Sequence, residues 1–221
     1  MTQPLTITYF GFLGPTEPSR LALCIGKIPF IDDVMEFPTW KAIKAGEKPN
    51  PSYWGQLPYM TIGEGDSAVQ VGQSDAILRY CGKLAGLQPE DPMEALKVDE
   101  MVQFLNQDVR DRGLARSMSI KDDEEKMAQR KKLNDELLPA QFEKISSRMD
   151  SSGFLCNGKL SIADLILYTT CSWIGMGTLD GITADFIKAN EKIAAHYKKI
   201  GDIPEVAEWN AKKRVGKVPA F

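Results

Sequence analysis

Two short apolar runs joined by a glycine-rich turn, and followed at once by a helical pattern, constrain the fold of this chain most. The runs extend from Tyr59 to Ile62 and from Ala68 to Val71, and segment 63–66 between them reads Gly-Glu-Gly-Asp. Glycine supplies the positive φ angles that tight connections need, so the runs predict a β-hairpin. Apolar residues then recur at helical spacing from Ile77 to Leu84, which predicts a helix that begins near Ser74.

The two ends of this stretch carry candidate binding groups. A helix start has unpaired backbone N–H groups and partial positive charge, so a carboxylate can dock at Ser74; the alternative is that Ser74 only caps the helix. Pro58 precedes the first strand, and X-Pro bonds in tight turns are sometimes cis. Leu57 then offers its backbone N–H and C=O to an extended peptide ligand, unless Pro58 is an ordinary turn proline.

The residues before the hairpin predict an α/β unit. Residues from Leu5 to Phe10 have strand composition, and Thr16 starts a helix with proline in its first turn that runs to Ile25. A second strand is predicted from Phe30 to Phe37. The segment from Pro38 to Trp54 is rich in proline, lysine and glycine, so we expect a long surface loop there with at most one helical turn.

Every segment after the break at 86–92 has a helical pattern. Ser161 and Asp164 form a capping-box variant before the most apolar helix of the chain. We therefore predict a domain of residues 1–85, a linker of residues 86–92 and an all-helical domain of residues 93–221. The helices are expected at 93–118, 122–148, 165–173, 183–200 and 204–213.

Composition excludes several classes of function. A net charge of −3 over 221 residues does not favour nucleic acid or an anionic membrane as partner. The sequence has neither the long apolar run of a membrane helix nor the pattern of a signal peptide, and its four cysteines are widely spaced, so we expect a cytoplasmic protein with free thiols. His196 is the only histidine, which argues against metal sites built on paired histidines.

The motifs together resemble a known family. Gln56-Leu57-Pro58, then a hairpin, then Gln73-Ser74 opening a helix are similar to the glutathione-binding half of cytosolic glutathione transferases of the tyrosine-dependent type, such as the sigma, pi and mu classes. The resemblance implies an α/β plus all-α fold, in which an N-terminal thioredoxin-like domain precedes an all-helical domain. It also implies a cytoplasmic homodimer that acts in detoxification, with glutathione as co-substrate and no cofactor or metal.

The resemblance assigns roles to individual residues. Tyr9, at the end of the first strand, matches the catalytic tyrosine, whose phenol stays protonated near neutrality and can donate a hydrogen bond to a thiolate; without the resemblance it reads as a half-buried strand tyrosine. Trp54 matches an aromatic residue of the dimer interface. The glutathione contacts are expected to be Trp40, Lys44, Gln56, Leu57, Pro58, Gln73, Ser74 and Asp108, with Asp108 reaching the ligand of the neighbouring subunit.

Plain structural roles stand beside these assignments. Trp40 and Trp54 also suit local packing, Lys44 and Gln56 suit a solvent-facing surface, and Asp108 is one charge in a charged segment. The second substrate is expected between the domains, where the resemblance and the apolar character of the residues point to Phe10, Leu13, Arg112, Leu114, Met118, Val218 and Phe221.

One position departs from the family pattern. Many tyrosine-dependent members have arginine after the glycine that Gly14 matches, whereas this chain has Pro15. Thr16 and Ser19 lie near the active residue of the serine- and cysteine-dependent classes, although Thr16 also suits a helix cap. The expected function is conjugation of the glutathione thiolate to hydrophobic electrophiles, with peroxide reduction as a side activity. The alternatives are a non-catalytic binding relative and a glutathione-dependent isomerase.

Overall fold

The computed structural model describes residues 3–212 and residue 219, and within them a small sheet is followed by a larger helical part. The elements of the first part are β1 (Leu5–Tyr9), α1 (Glu17–Ile25), β2 (Ile31–Val34), α2 (Phe37–Lys44), β3 (Tyr59–Ile62), β4 (Val69–Gly72) and α3 (Ser74–Leu84). The helical part contains α4 (Pro92–Gln103), α5 (Arg116–Met118), α6 (Asp123–Lys132), α7 (Leu138–Arg148), α8 (Ile162–Gly175), α9 (Asp185–Ala189), α10 (Glu191–Gly201) and α11 (Pro204–Ala211).

The sheet has the order β2-β1-β3-β4. β1 runs parallel to β2, with Tyr9 opposite Val34, and antiparallel to β3, with Thr8 opposite Tyr59. β3 and β4 form the predicted hairpin, with Tyr59 opposite Gly72. The carboxyl end of β1, the start of β3 and the end of β4 therefore meet at one edge of the sheet, where α3 begins.

Helix α1 joins the two parts of the molecule. It packs against α3 on the sheet side and against α8 and α11 of the helical part. Leu21 and Leu23 of α1 belong to the same buried cluster as Leu165 and Ile166 of α8. One continuous apolar core thus runs through both parts, and α1 lies at its centre.

Two helical runs contain π-helical segments, in which the backbone bonds connect residues i and i+5. Phe104–Ala115 lies between α4 and α5, and Leu133–Leu137 lies between α6 and α7. The expected helices at 93–118 and 122–148 are therefore each present as one continuous run, but with a changed register in the middle.

Some predicted elements were wrong. The first part of the loop predicted at 38–54 is the helix α2, because Pro38 lies in its first turn and Ile43 is buried. Residues 45–54 form a loop, as predicted. The second strand is shorter than predicted. The helix expected at 183–200 is divided into α9 and α10, because the backbone of Asn190 is extended. The Asn190 side chain caps α10 by accepting from the Ile193 N–H at 3.2 Å.

The capping box before α8 is confirmed and forms a buried hub. Asp164 accepts hydrogen bonds from the N–H and hydroxyl of Ser161 at 2.8 and 2.9 Å. It also accepts from the Leu155 N–H at 2.9 Å and contacts Nε2 of His196 at 3.0 Å. These contacts fix the start of α8, whose side chains form one wall of the site described next.

Candidate active site

A cavity of about 450 Å³ opens where the edge of the sheet faces the helical part. The strand side and its loops contribute Tyr9, Phe12, Leu13, Gly14, Pro15, Pro18, Trp54, Gln56, Leu57, Pro58, Gly72, Gln73 and Ser74. The helical side contributes Arg110, Asp111, Ala115, Met118, Ile166, Thr169, Thr170 and Trp173. The walls are mostly apolar, with a few polar groups at the strand ends, as is usual for small-molecule sites.

Tyr9 stands at the carboxyl end of β1 and borders this cavity. Its ring packs against Phe10 and Phe12, with centroids 5.2 and 5.6 Å apart, and only 7% of the residue is exposed. A Cβ at Gly14 would lie 2.8 Å from the Tyr9 hydroxyl, so the glycine leaves the space that the phenol occupies. Burial raises the pKa of Tyr9, which keeps the hydroxyl protonated and able to donate.

Arg20 lies under the Tyr9 ring and holds the end of β1 in place. Its guanidinium carbon lies 5.9 Å from the centroid of the Tyr9 ring. The guanidinium donates to Asp32 Oδ1 at 2.7 Å, to Glu17 Oε2 at 3.1 Å and to the Phe10 carbonyl at 3.0 Å. These bonds hold the end of β1 against α1 and β2, and the two carboxylates compensate the buried positive charge.

The loop before β3 presents Gln56, Leu57 and Pro58 to the cavity. The Leu57–Pro58 peptide bond is cis. Ser52 holds the loop, because its hydroxyl donates to the Gln56 carbonyl at 2.6 Å and accepts from the Gln56 N–H at 3.2 Å. Within the described residues, no hydrogen bond uses the backbone N–H or C=O of Leu57, so both groups remain available to a ligand.

Gln73 and Ser74 bring the start of α3 to the same cavity. Gln73 has φ 71° and ψ 108°, a left-handed conformation that side-chain-bearing residues rarely adopt and that is often found at functional sites. Because Gln73 and Ser74 both border the cavity, the start of α3, whose first N–H groups have no partner within the helix, lies beside it. Next to them, Asp75 accepts from the Asn106 amide at 2.7 Å, and burial raises the pKa of Asp75.

Arg110 and Asp111 form the charged part of the opposite wall. Arg110 Nε lies 3.0 Å from Asp111 Oδ1, and both residues line the cavity. The sequence reasoning placed Arg112 and Leu114 there instead. Arg112 is exposed and paired with Asp108 at 2.7 Å, and Leu114 is fully buried in the core. Arg110, Asp111 and Ala115 are the residues of this π-helical segment that border the cavity.

The sequence reasoning also missed the wall that α8 supplies. Ile166, Thr169, Thr170 and Trp173 line the cavity from this helix. The signal was the pair of threonines at 169 and 170 within the most apolar helix, since hydroxyl groups are seldom placed in a core helix without a reason.

Of the other predicted residues, Leu13 and Met118 border the cavity, whereas Phe10 does not. Phe10 instead stacks on Phe37 with the ring centroids 4.3 Å apart. Val218 and Phe221 lie outside the described residues.

Trp40 and Lys44 lie on α2, beside the loop rather than in the cavity wall. Lys44 Nζ donates to the Gly55 carbonyl at 3.4 Å and lies 6.0 Å from the Trp40 ring. Trp54 borders the cavity and covers Gly72, while 60% of the residue stays exposed. Asp108 borders a separate depression between α4 and α7.

Thr16 and Ser19, the alternative candidates for the active residue, lie outside this site. Thr16 is buried at the N-cap position of α1, but its hydroxyl makes no capping bond and has no hydrogen-bond partner among the described residues. Thr16 does not border the cavity. Ser19 is fully buried and does not border the cavity either.

The described residues include no cluster of acidic, cysteine and histidine side chains that could hold a metal ion. None of the described helices is long and apolar enough to cross a membrane.

Comparison with known proteins identifies the family. Over 162 residues the chain is 31% identical to glutathione S-transferase 2 of Manduca sexta, a match that covers 72% of each protein. The chain belongs to the glutathione S-transferase family. The family model described as glutathione S-transferase, C-terminal domain, matches residues 107–213. Glutathione S-transferase 1 of Ascaris suum is 26% identical, over 94% of this chain and 95% of that protein.

A solved structure extends the likeness to the whole glutathione S-transferase fold. Prostaglandin synthase D of Nilaparvata lugens superimposes with a TM-score of 0.82 at 31% identity, covering 96% of this chain and 99% of that one. These comparisons confirm the expected family, the expected thioredoxin-like part followed by a helical part, and the expected class of transferase enzyme.

Proposed function

We propose that this glutathione transferase is of the tyrosine-dependent type and conjugates the glutathione thiolate to hydrophobic electrophiles in the cavity beside Tyr9. The observation that carries the proposal is the position of the Tyr9 hydroxyl. It borders the same cavity as the start of α3 and the free backbone groups of Leu57. A tripeptide that spans these groups brings its central thiol toward the phenol.

The three parts of glutathione then have separate anchors. The γ-glutamyl carboxylate binds the N–H groups at the start of α3, with the Gln73 and Ser74 side chains as further contacts. The cysteinyl residue pairs with the Leu57 backbone as an added strand, next to Gln56 and Pro58. The glycyl carboxylate points toward α2, where Trp40 and Lys44 flank the loop at Gly55.

Tyr9 acts by stabilising the thiolate of bound glutathione. The thiol gives up its proton, and the Tyr9 hydroxyl donates a hydrogen bond to the resulting anion. A hydrogen bond to a charged group contributes ~1.5–3 kcal/mol, and ~1.36 kcal/mol corresponds to one pKa unit. Tyr9 therefore lowers the thiol pKa by about one to two units from ~8.5, which makes much of the bound glutathione anionic at neutral pH.

The thiolate then attacks the electrophile. A carbon–sulfur bond forms, and the leaving group departs with the electron pair of the bond that breaks. Reduction of lipid hydroperoxides is the expected side activity: the peroxide becomes an alcohol and water while two glutathione molecules become the disulfide. These reactions fit a role in detoxification.

The second substrate binds against the apolar walls of the cavity. Leu13 and Met118 keep the role that the sequence predicted for them, and Phe12 and Trp173 extend the same surface. Phe10 supports this wall through its contact with Phe12, where the ring centroids lie 5.5 Å apart. Arg112 and Leu114 are not part of the proposed binding surface.

We further propose a cytoplasmic homodimer. Tyr53 and Trp54, in the loop before β3, and Val69, on the outer strand β4, expose apolar surface, which suits an interface. In this assembly Asp108 reaches the γ-glutamyl amine of the neighbouring subunit's ligand. Trp54→Ala should shift sedimentation toward the monomer at low protein concentration, and unchanged sedimentation would remove Trp54 from the interface.

The division into residues 1–85, 86–92 and 93–221 belongs to the same proposal. It is supported by the end of the strand content at Gly72 and by the start of α4 at Pro92. The four cysteines are free thiols, which fits a reducing compartment such as the cytoplasm.

The deciding experiment compares wild type, Tyr9→Phe and Thr16→Ala. Each protein is bound to immobilised glutathione and assayed for conjugation of a chlorinated nitroaromatic. We expect Tyr9→Phe to retain binding and to lower kcat/KM by roughly 10- to 100-fold, the loss of one charge-assisted hydrogen bond. Equal rates for wild type and Tyr9→Phe, with a loss in Thr16→Ala, would move the role to Thr16.

A further inference from the structure

Few charged side chains border the cavity beside Tyr9. Among the described residues, Arg110 and Asp111 are the only arginine, lysine or acidic side chains that border it. The Arg110 side chain is mostly covered, with 19% exposed, whereas 55% of the Asp111 side chain is exposed. The covered partner of this ion pair is thus the cation, and water screens the carboxylate more strongly than the guanidinium.

The other charges around Tyr9 are already compensated. On α1, Arg20 lies under the Tyr9 ring, but it is bonded to the carboxylates of Glu17 and Asp32. On α3, Asp75 accepts from the Asn106 amide, and Arg79 is paired with Asp99 at 2.8 Å. The loop that carries Gly14 and Pro15 contributes no charge to the cavity.

Arg110 acts electrostatically on both ends of the site. Burial raises the pKa of Tyr9, the charge of Arg20 lowers it, and the positive charge of Arg110 lowers it further. This charge also lowers the pKa of Asp75, beside the start of α3, again against the effect of burial. The proposed sulfur position lies between these two ends, so the same charge reaches it.

We propose that Arg110 supplies the positive charge that favours the thiolate of bound glutathione, and that Asp111 sets how much of this charge reaches the sulfur. The inference rests on the proposed function, because it concerns the ligand of that same site. A cation near an acid stabilises the anionic form, and it does so more strongly where water is excluded. The guanidinium remains protonated, so Arg110 neither accepts nor delivers the thiol proton, which passes to solvent.

The test is a titration of glutathione bound to the full-length protein, without electrophile, in which ultraviolet absorbance reports the thiolate. The variants are Arg110→Gln, Arg110→Lys and Asp111→Asn. The control is Arg116→Gln, because Arg116 is an exposed arginine on the same helical run that does not border the cavity. Glutathione affinity is measured in parallel by calorimetry.

We expect Arg110→Gln to raise the pKa of the bound thiol by about half a unit, which is a roughly threefold loss of thiolate below that pKa. Arg110→Lys should leave the pKa of the bound thiol close to the wild-type value, because lysine keeps the positive charge. Asp111→Asn should move the pKa in the opposite direction, and Arg116→Gln should leave it unchanged. The opposite signs at neighbouring positions separate a charge effect from a general disturbance of the fold.

An unchanged thiol pKa in Arg110→Gln, or a rise in Asp111→Asn, would overturn the inference. If Arg110→Gln fails to fold, the fall in thiol pKa expected for Asp111→Asn still tests the inference. A wild-type protein that binds no glutathione overturns both the inference and the proposed function. One that binds glutathione and lowers its thiol pKa without conjugating electrophiles overturns the proposed function alone.

Discussion

Trp209 Nε1 donates a 2.8 Å hydrogen bond to Glu17 Oε1, so a side chain of α11 reaches into the buried ion network beneath Tyr9. The other oxygen of Glu17 is bonded to Arg20 at 3.1 Å, and both side chains are buried. Through Arg20 the network continues to the Phe10 carbonyl at the end of β1. The packing of the last described helix is thereby connected to the residue next to the proposed catalytic tyrosine.

Removing the Glu17 carboxylate should strongly destabilise the fold. Glu17→Ala leaves the Arg20 charge buried with one partner fewer and leaves the Trp209 N–H without this acceptor. Breaking a buried pair in this way costs about 3–5 kcal/mol, which a urea midpoint measures. Asp135→Asn is the control: its partner Lys131 is largely exposed, so we expect no measurable change. A midpoint that Glu17→Ala does not lower would contradict the structural role of the network.

Adding one methyl group at Gly14 should abolish most activity while the protein stays folded. The new Cβ would lie 2.8 Å from both Oη and Cε1 of Tyr9, so the phenol must move away from its position. We expect Gly14→Ala to lower kcat/KM by at least ~10-fold, as the loss of the tyrosine hydrogen bond does. The double variant Tyr9→Phe with Gly14→Ala should be no slower than Tyr9→Phe. Additive losses would show that Gly14 acts independently of Tyr9.

The positive φ angle of Gln73 should lower the stability of the fold, and substitutions at this position can measure that cost. Gln73→Ala and Gln73→Gly both remove the side-chain amide from the cavity, but only glycine adopts φ 71° without strain. We therefore expect the glycine variant to be about 1 kcal/mol more stable than the alanine variant in urea unfolding. Both should bind glutathione more weakly than wild type, and to a similar extent. Equal stability of the two variants would count against the strain.

Stability should fall as the solution becomes alkaline. Burial raises the pKa of Cys81 and of Cys156 to about 12 from the ordinary thiol value of 9.0, and burial also raises the pKa of Cys171, Tyr9 and Tyr197. Between pH 9 and pH 12 the unfolded chain has therefore lost thiol protons that the folded chain keeps. Fewer protons bound in the unfolded state means that the free energy of unfolding decreases as pH rises.

The measurement is the urea midpoint in reducing buffer across this pH window. Cys81→Ala removes one titrating group, so its midpoint should fall less steeply with pH than that of wild type, whatever its stability at pH 7. A midpoint independent of pH over this window would contradict the burial of the thiols.

The sheet side of the site was accessible to sequence reasoning because its signals are local. The hairpin, the helix start at Ser74 and the strand end at Tyr9 each follow from residues within one short segment. The structure brings Tyr9, Gln56, Leu57, Pro58, Gln73 and Ser74 around one cavity. Their binding roles remain predictions, since the geometry gives the positions and not the ligand.

The helical side was harder to predict because its facing residues depend on register. The resemblance placed Arg112 and Leu114 beside the second substrate, whereas the residues of the π-helical segment that border the cavity are Arg110, Asp111 and Ala115. Hydrophobic periodicity over a short window does not distinguish a π-helical segment from an α-helical one. The wall from α8 is a long-range relationship between the two parts of the chain, which depends on how α1 packs. Thr169 and Thr170 mark a polar position on this helix, but the local sequence does not say which element they face.

The position of α1 between α3, α8 and α11 has a consequence for turnover. Because one apolar core passes through this helix, opening a hinge between the two parts would expose Leu21 and Leu23 to water. In the proposed reaction we therefore expect the electrophile to enter, and its conjugate to leave, through movements of exposed side chains that border the cavity, such as Trp54 and Met118. Such an enzyme accepts a wider range of substrates when the side chains around the cavity opening rearrange, and not when its two parts move apart.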